Sequence, residues 1–193
     1  MDARLRTPLA SAAARALGTC PRHLQRLRLD LADGAATTLH VATYDLRRTM
    51  PRVHRLAHPT PLEHWCRERR VAEAIVGGFF VRPGGMPLGE LRTSGIVRTT
   101  EPFDAPWDAV RACLHVTGNH VNMARRGALP AEPTGDLLQA GPLLVNDGRP
   151  CLDGGGSTSL VCGGRLRNVP REEHGIVLAG GRPVSTVIAF TPR

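Results

Sequence analysis

Alternation of apolar and polar residues along the chain predicts short strands joined by turns. Leu27, Leu29 and Leu31 alternate with charged residues and are followed by Asp33-Gly34, which predicts a strand, a turn and a returning strand over residues 39–44. Further strands are predicted over residues 74–81, 91–97, 112–116, 143–145, 160–162, 165–166 and 184–190, with hairpin turns at 117–120 and 163–164.

Helical signals are few. Thr60-Pro61-Leu62-Glu63 has the sequence of a capping box, with proline at the first helical position, and predicts a helix over residues 61–70. Residues 10–17 are rich in alanine and predict either a short helix or a loose arm. We therefore expect a basic N-terminal arm over residues 1–22 and one domain over residues 23–193. The expected fold class is α+β, with a mixed, largely antiparallel sheet of short strands and a few helices.

The composition agrees with such a fold: 193 residues include 21 glycines and 16 prolines, which favour turns over long helices. All 25 basic residues are arginines, which is typical of a protein from a GC-rich genome, such as that of many bacteria. The formal charge of +8 is spread along the chain and no nucleic-acid-binding motif accompanies it. We therefore do not expect a nucleic-acid partner, although an arginine-rich nucleic-acid binder stays open as a third hypothesis.

The chain lacks a run of apolar residues long enough for a membrane span, and its first residues lack the apolar segment of an export signal. The expected location is the cytoplasm. The five cysteines form no CxxC pair, so we expect buried free thiols. Cys113, His115 and His120 are spaced loosely for metal ligands, and core and turn roles suit them better. We expect no metal and no cofactor.

One glycine-rich segment carries the strongest chemical signal. Asp153 is followed by Gly154, Gly155, Gly156 and Ser157, between apolar residues. Successive glycines let backbone amides converge on an anion, and the serine hydroxyl adds a donor. The spacing is neither that of a P-loop nor that of a dinucleotide-binding fingerprint. The alternative is a flexible turn.

Carboxylates in apolar or glycine-rich surroundings are candidates for acid–base or nucleophilic work. They are Glu90, Asp136, Asp147 and Asp153. Turn or capping roles compete for Asp136 and Asp147, and for Glu90 both interpretations stay open.

Six segments, taken in order, resemble the phosphodiester glycosidase family. They are Gly77-Gly78-Phe79-Phe80, Pro87-Leu88-Gly89-Glu90, residues 139–148, residues 152–158, residues 164–170 and residues 182–186. The resemblance implies a hydrolase that cleaves the glycosidic bond of a sugar-1-phosphodiester, with a carbohydrate or sugar phosphate as its partner. It also makes a location outside the cytoplasm compatible with the sequence.

The resemblance assigns roles to particular residues. Asp153 and Glu90 are the candidate catalytic carboxylates, and Arg182 is the candidate cation. The remaining candidates for substrate binding are Gly78, Gln139, Gly154, Gly155, Gly156, Ser157 and Asn168. Family members carry a further block where this chain joins Pro150 to Cys151 directly. The second hypothesis is therefore a non-catalytic relative that binds a glycan or phosphate.

Overall fold

The computed structural model of the protein describes residues 13–16, 23–30, 34–82, 84–106, 108, 111–142, 145–146, 149–150, 158–168 and 181–193. Its strands are β1 Ala13–Ala16, β2 Leu24–Asp30, β3 Ala36–Ala42, β4 Thr49–Pro61, β5 Ala74–Val76, β6 Phe80–Val81, β7 Met86–Pro87, β8 Leu91–Thr93, β9 Ile96–Val97, β10 Arg111–Thr117, β11 His120–Arg125, β12 Asp136–Pro142, β13 Val145–Asn146, β14 Arg149–Pro150, β15 Leu160–Cys162, β16 Arg165–Leu166 and β17 Pro183–Pro192. The helix α1 spans Leu62–Arg69, and a 3-10 turn spans Arg126–Ala128.

The strands pair antiparallel into two five-stranded sheets, one three-stranded sheet and two hairpins. The central sheet has the order β16-β15-β5-β17-β4, and the outer sheet has the order β11-β10-β12-β8-β9. The N-terminal sheet has the order β1-β2-β3. The prediction of antiparallel sheets is confirmed. The α+β class is wrong in its helical part, because the described residues form a mainly β fold with the single α-helix α1.

The central sheet is buried on both faces. Along β17, Val187 and Ala189 pack with Trp65 of α1, whereas Ile188 packs with Leu138 of the outer sheet. This alternation follows from the two-residue period of a strand. The order of layers is therefore helix, central sheet and outer sheet.

Strong local turn signals are confirmed. The turn between β10 and β11 leaves Thr117 opposite His120, and Gly163-Gly164 joins Cys162 to Arg165. The predicted pair of strands before and after Gly34 is the β2–β3 hairpin, and β17 covers the last predicted strand.

Other local predictions are wrong. Residues 91–97 form a hairpin, not one strand, because Ser94 and Gly95 have positive φ angles of 53° and 79°. The capping box does not form: Pro61 is the residue at the N-cap, and the Thr60 hydroxyl donates to the His58 carbonyl. The helix predicted over residues 61–70 is nevertheless confirmed as α1, Leu62–Arg69, which begins one residue later than the box requires because β4 continues to Pro61.

Ala13–Ala16 pairs with β2 as a strand, so the short N-terminal helix is wrong. In the predicted strand over 143–145, Val145 belongs to β13 and the other two residues lie outside the described part. No described helix is long and apolar enough to cross a membrane.

Candidate functional site

The glycine pair Gly77-Gly78 ends β5 and brings its backbone against β17. The Gly77 amide donates to the Thr186 carbonyl at 2.8 Å, and the Gly78 amide donates to Thr186 Oγ1 at 2.7 Å. A Cβ atom on Gly77 would lie 2.5 Å from Thr186 Oγ1 and 2.9 Å from the Thr186 carbonyl carbon. The close backbone approach predicted from the glycine pair is therefore confirmed, and the predicted strand over residues 74–81 is interrupted here.

The chain that leaves the glycine-rich segment reaches the same end of the central sheet. Leu160 pairs with Ile75, and the Val76 amide donates to the Ser159 carbonyl at 3.0 Å. Thr158 and Ser159 therefore lie beside the point where β5 gives way to Gly77. We call this end of the central sheet the glycine end.

Asn168 fixes the described residues that follow the glycine-rich segment. Its Oδ1 accepts from the Leu160 amide at 2.9 Å, and its Nδ2 donates to the Thr158 carbonyl. Both ends of the side-chain amide are therefore bonded to the backbone. The geometry makes Asn168 a residue that positions this chain segment.

Arg182 also belongs to the glycine end. It directly precedes β17, in which Val187 lies opposite Val76 and Val184 lies opposite Thr60. The side chain of Arg182 is half-buried.

The outer sheet contributes Gln139 and Glu90. A Cβ on Gly78 would lie 3.3 Å from the Gln139 carbonyl oxygen, so the two backbones nearly touch. The Glu90 amide donates to Gln139 Oε1 at 3.0 Å, and Gln139 Nε2 donates to the Asp108 carbonyl at 3.1 Å. Gly78, Gln139 and Glu90 are thus brought together from separate parts of the sequence.

The carboxylate of Glu90 is held by two arginines. Arg92 Nε lies 3.1 Å from Oε1, and Arg126 Nε contacts Oε2. Arg126 also donates to the carbonyl oxygens of Pro130 and Ala131. A carboxylate with both oxygens engaged by guanidinium groups is better suited to positioning than to attack on a substrate.

An arginine between two aromatic rings, which the sequence analysis missed, lies next to these residues. The Arg111 guanidinium carbon is 4.9 Å from the centroid of Phe79 and 5.0 Å from that of Phe103. The two rings meet edge to face at 6.2 Å. The position of Phe79 directly after the glycine pair was the available signal, but the pairing with Arg111 depends on the fold.

Asp136, another candidate carboxylate, has a structural environment. Asp136 is 2% exposed and accepts hydrogen bonds from the Val53 and Ser94 amides. It therefore ties the edge strand β4 to the β8–β9 turn. Asp147 lies outside the described residues.

The catalytic candidate Asp153 and the binding candidates Gly154, Gly155, Gly156 and Ser157 also lie outside the described residues. The junction at Cys151 does as well. Their roles stay predictions.

Cys113, His115 and His120, which the sequence spaces loosely as metal ligands, do not form a metal-binding cluster. Cys113 is fully buried, and burial raises the pKa of its thiol to about 11. The His115 ring nitrogen Nε2 lies 2.8 Å from the Thr134 carbonyl oxygen, and His120 is exposed. Within the described ranges, the three side chains that could share a metal ion are His23, Glu73 and Cys162.

A separate cavity of about 460 Å³ lies beside α1, and its lining includes His54, Trp65, Glu68 and Arg69. Burial lowers the pKa of His54, and the charge of Arg69 acts in the same direction. This cavity lies on the opposite face of the central sheet from the outer sheet. It contains none of the residues predicted from the sequence.

Neither the protein-family models nor the curated proteins give a match to this chain. Among solved structures, the fold is similar to that of a hydrolase catalytic domain. That domain belongs to zebrafish N-acetylglucosamine-1-phosphodiester alpha-N-acetylglucosaminidase and is auto-inhibited by a pro-peptide; the TM-score is 0.58 at 14% identity, over 95% of this chain and 88% of that one. A hypothetical protein from Synechocystis has a TM-score of 0.46 at 14% identity, over 94% of this chain and 62% of that one. The first comparison shows a common fold.

Proposed function

We propose that the protein is a hydrolase that cleaves the glycosidic bond of a sugar-1-phosphodiester at the glycine end. The observation that carries the proposal is the close approach of Gly78 to Gln139 at this end of the central sheet, where Asn168 also holds the chain that leaves the glycine-rich segment. Arg182 precedes β17 at the same end of the sheet. The zebrafish domain with a similar fold has a name that states the corresponding activity. Both lines of support agree with the resemblance found in the sequence.

Cleavage of this glycosidic bond requires a carboxylate and a positively charged binding site for the phosphate. When the bond between the anomeric carbon and the phosphodiester oxygen breaks, positive charge develops on the sugar and a carboxylate stabilises it. The phosphate leaves as an anion, so amide and guanidinium donors take the place of a strong general acid. We assign the carboxylate to Asp153 and the donors to the amides of Gly154, Gly155 and Gly156, the Ser157 hydroxyl and the Arg182 guanidinium.

The described residues refine the other assignments. The side chains of Asn168 and Gln139 are bonded to the backbone, and Glu90 is bonded to two arginines. We therefore propose that these three residues position the site. We assign contact with the substrate to Gly78, Arg182 and the glycine-rich segment, as the resemblance in the sequence implies.

The assay that tests this proposal measures free sugar released from an N-acetylglucosamine-1-phosphodiester by the purified chain. The Asp153→Asn variant should lose about 100-fold or more of the rate, as expected for loss of a reacting carboxylate. Asp104→Asn changes an exposed aspartate in the same way and serves as the matched control. Equal rates for the wild type and Asp153→Asn would remove Asp153 from the mechanism.

The second candidate function is binding of a glycan or phosphate without turnover. The double engagement of Glu90 favours it, because that carboxylate is not free to react. Calorimetry with a sugar-1-phosphate distinguishes the two functions. Heat of binding that depends on Arg182, together with no sugar release, would establish the binding protein and exclude the hydrolase.

A further inference from the structure

Three side chains with different metal-ligating atoms meet where the N-terminal sheet joins the central sheet. His23 precedes β2, Glu73 precedes β5, and Cys162 ends β15. One ligating atom from each residue lies within 4.8 Å of the other two. None of these residues belongs to the glycine end.

The sulfur of Cys162 and a carboxylate oxygen of Glu73 both lie close to one ring nitrogen of His23. Cys162 Sγ lies 3.1 Å from His23 Nε2, and Glu73 Oε1 lies 3.3 Å from the same nitrogen. In a nucleophilic triad, the cysteine and the carboxylate occupy opposite nitrogens of the imidazole ring. Here both face Nε2, and Cys162 is fully buried. The arrangement is therefore that of ligands around a common centre and not that of a nucleophile with its base.

The carboxylate of Glu73 is oriented by further hydrogen bonds. The Gly163 amide donates to Oε1 at 2.8 Å, and the Tyr44 hydroxyl donates to Oε2 at 2.8 Å. The Tyr44 ring is itself fixed, since it stacks on Phe190 with centroids 4.0 Å apart and planes 10° apart. Outer hydrogen bonds of this kind hold the ligands of a metal ion in place.

We propose that His23, Glu73 and Cys162 bind one zinc ion. A set with one sulfur, one imidazole and one carboxylate ligand suits Zn²⁺ and not the oxygen-seeking Mg²⁺ or Ca²⁺. Three protein ligands would leave the fourth tetrahedral position to a water molecule. Water would reach the site beside the His23 side chain, which is 38% exposed. Binding displaces the Cys162 thiol proton to solvent.

The ion would clamp the N-terminal sheet onto the central sheet. The apolar contact between them is small: it is formed by Leu24 against Leu160 and Cys162, with Ala42 and Ile75 beside them. A bond from His23 to an ion held by Cys162 and Glu73 adds a link that this cluster lacks. We therefore assign the ion a structural role.

The test begins with the full chain, stripped with a chelator and titrated with Zn²⁺ and, separately, with Co²⁺. We expect one ion per chain, a higher unfolding temperature with Zn²⁺, and a thiolate-to-cobalt absorption band in the near ultraviolet. Mg²⁺ should give no shift in unfolding temperature. Absence of binding at one ion per chain would overturn the proposal.

Variants identify the ligands. Cys162→Ser should abolish the cobalt band, and His23→Gln should abolish stabilisation by Zn²⁺. Tyr44→Phe removes only the outer hydrogen bond and should weaken binding about 10-fold. The matched controls are His64→Gln, on the exposed face of α1, and Cys113→Ala, in the outer sheet. Unchanged zinc binding in His23→Gln would contradict the proposal. Because His23 is partly exposed, its replacement can be tested even if the variant Cys162→Ser, at a fully buried position, fails to fold.

Discussion

Gln139 and Glu90 are joined by a reciprocal pair of hydrogen bonds. The backbone amide of Glu90 donates to the side-chain oxygen Oε1 of Gln139 at 3.0 Å. The backbone amide of Gln139 donates to the backbone carbonyl of Glu90 at 2.9 Å. Gln139 is 6% exposed, so water does not compete for these groups. The pair fixes the residue before β8 against β12 and thereby holds the Glu90 carboxylate beside Arg126.

Replacement of Glu90 by glutamine should therefore destabilise the fold. The change leaves Arg92 and Arg126 without their anionic partner, and we expect a loss of about 1–3 kcal/mol in the free energy of unfolding. Urea unfolding measures it, with the exposed Glu132→Gln as control. Equal stability of the Glu90 and Glu132 variants would show that the ion pairs contribute nothing to the fold.

Replacement of Gly77 by alanine should destabilise the fold at the glycine end. In Gly77→Ala, the new methyl group would overlap Thr186, including its backbone, so β5 and β17 must separate. We expect a loss of about 1–3 kcal/mol or more, or failure to fold. Gly84→Ala is the control, because a Cβ atom there meets nothing within 4 Å. Thermal unfolding of Gly77→Ala at the wild-type temperature would be incompatible with the close approach.

Asp136 should prove structural. Asn in its place keeps one acceptor oxygen but turns an NH₂ group toward a backbone amide, either that of Val53 or that of Ser94. The expected loss is about 1–3 kcal/mol. Chemical denaturation of Asp136→Asn beside Asp104→Asn measures the difference. If both variants match the wild type, Asp136 does not hold β4 to the β8–β9 turn.

The buried thiols predict a dependence of stability on pH. Burial raises the pKa of the Cys66 thiol to about 12 and that of Cys113 to about 11. An unfolded thiol ionises at about pH 8.5. Above that pH the unfolded chain loses thiol protons that the folded chain keeps, so the free energy of unfolding falls as pH rises. Below that pH the two buried thiols make their full contribution to the free energy of unfolding.

Urea unfolding between about pH 7.5 and about pH 9.5 measures this slope below the range in which tyrosine ionises. The Cys66→Ala/Cys113→Ala double variant should give a flatter profile, whatever its absolute stability. A double variant with the wild-type slope would assign the dependence to other groups.

Much of the fold could be predicted from the sequence where local chemistry decides it. Gly163-Gly164 and Gly118-Asn119 set their hairpins, because positive φ angles at glycine suit tight turns. The turn at Ser94-Gly95 was missed, because serine seldom adopts a positive φ and the apolar residues Ile96 and Val97 that follow suggest a continuing strand. The helical content was overestimated at residues 10–17, where Ala13–Ala16 pairs with β2 as a strand. The helix predicted over residues 61–70 forms as α1, although Thr60 and Pro61 of the capping box pair with β17 as the end of β4.

The candidate site could be predicted only in part. Gly78 and Gln139 were named from motifs, but their contact depends on the packing of the outer sheet on the central sheet. The approach of His23 to Cys162 spans 139 positions along the chain and follows no local spacing. Such convergence is set by strand order, which the sequence pattern alone does not specify.

The central claim is that the glycine end binds the sugar phosphate. A crystal structure of the protein with a sugar-1-phosphate bound tests this most directly. We predict the phosphate within hydrogen-bond distance of Arg182, with the sugar against Gly78. A ligand seated instead in the cavity lined by His54 and Trp65, with the glycine end occupied by solvent alone, would contradict the proposed site.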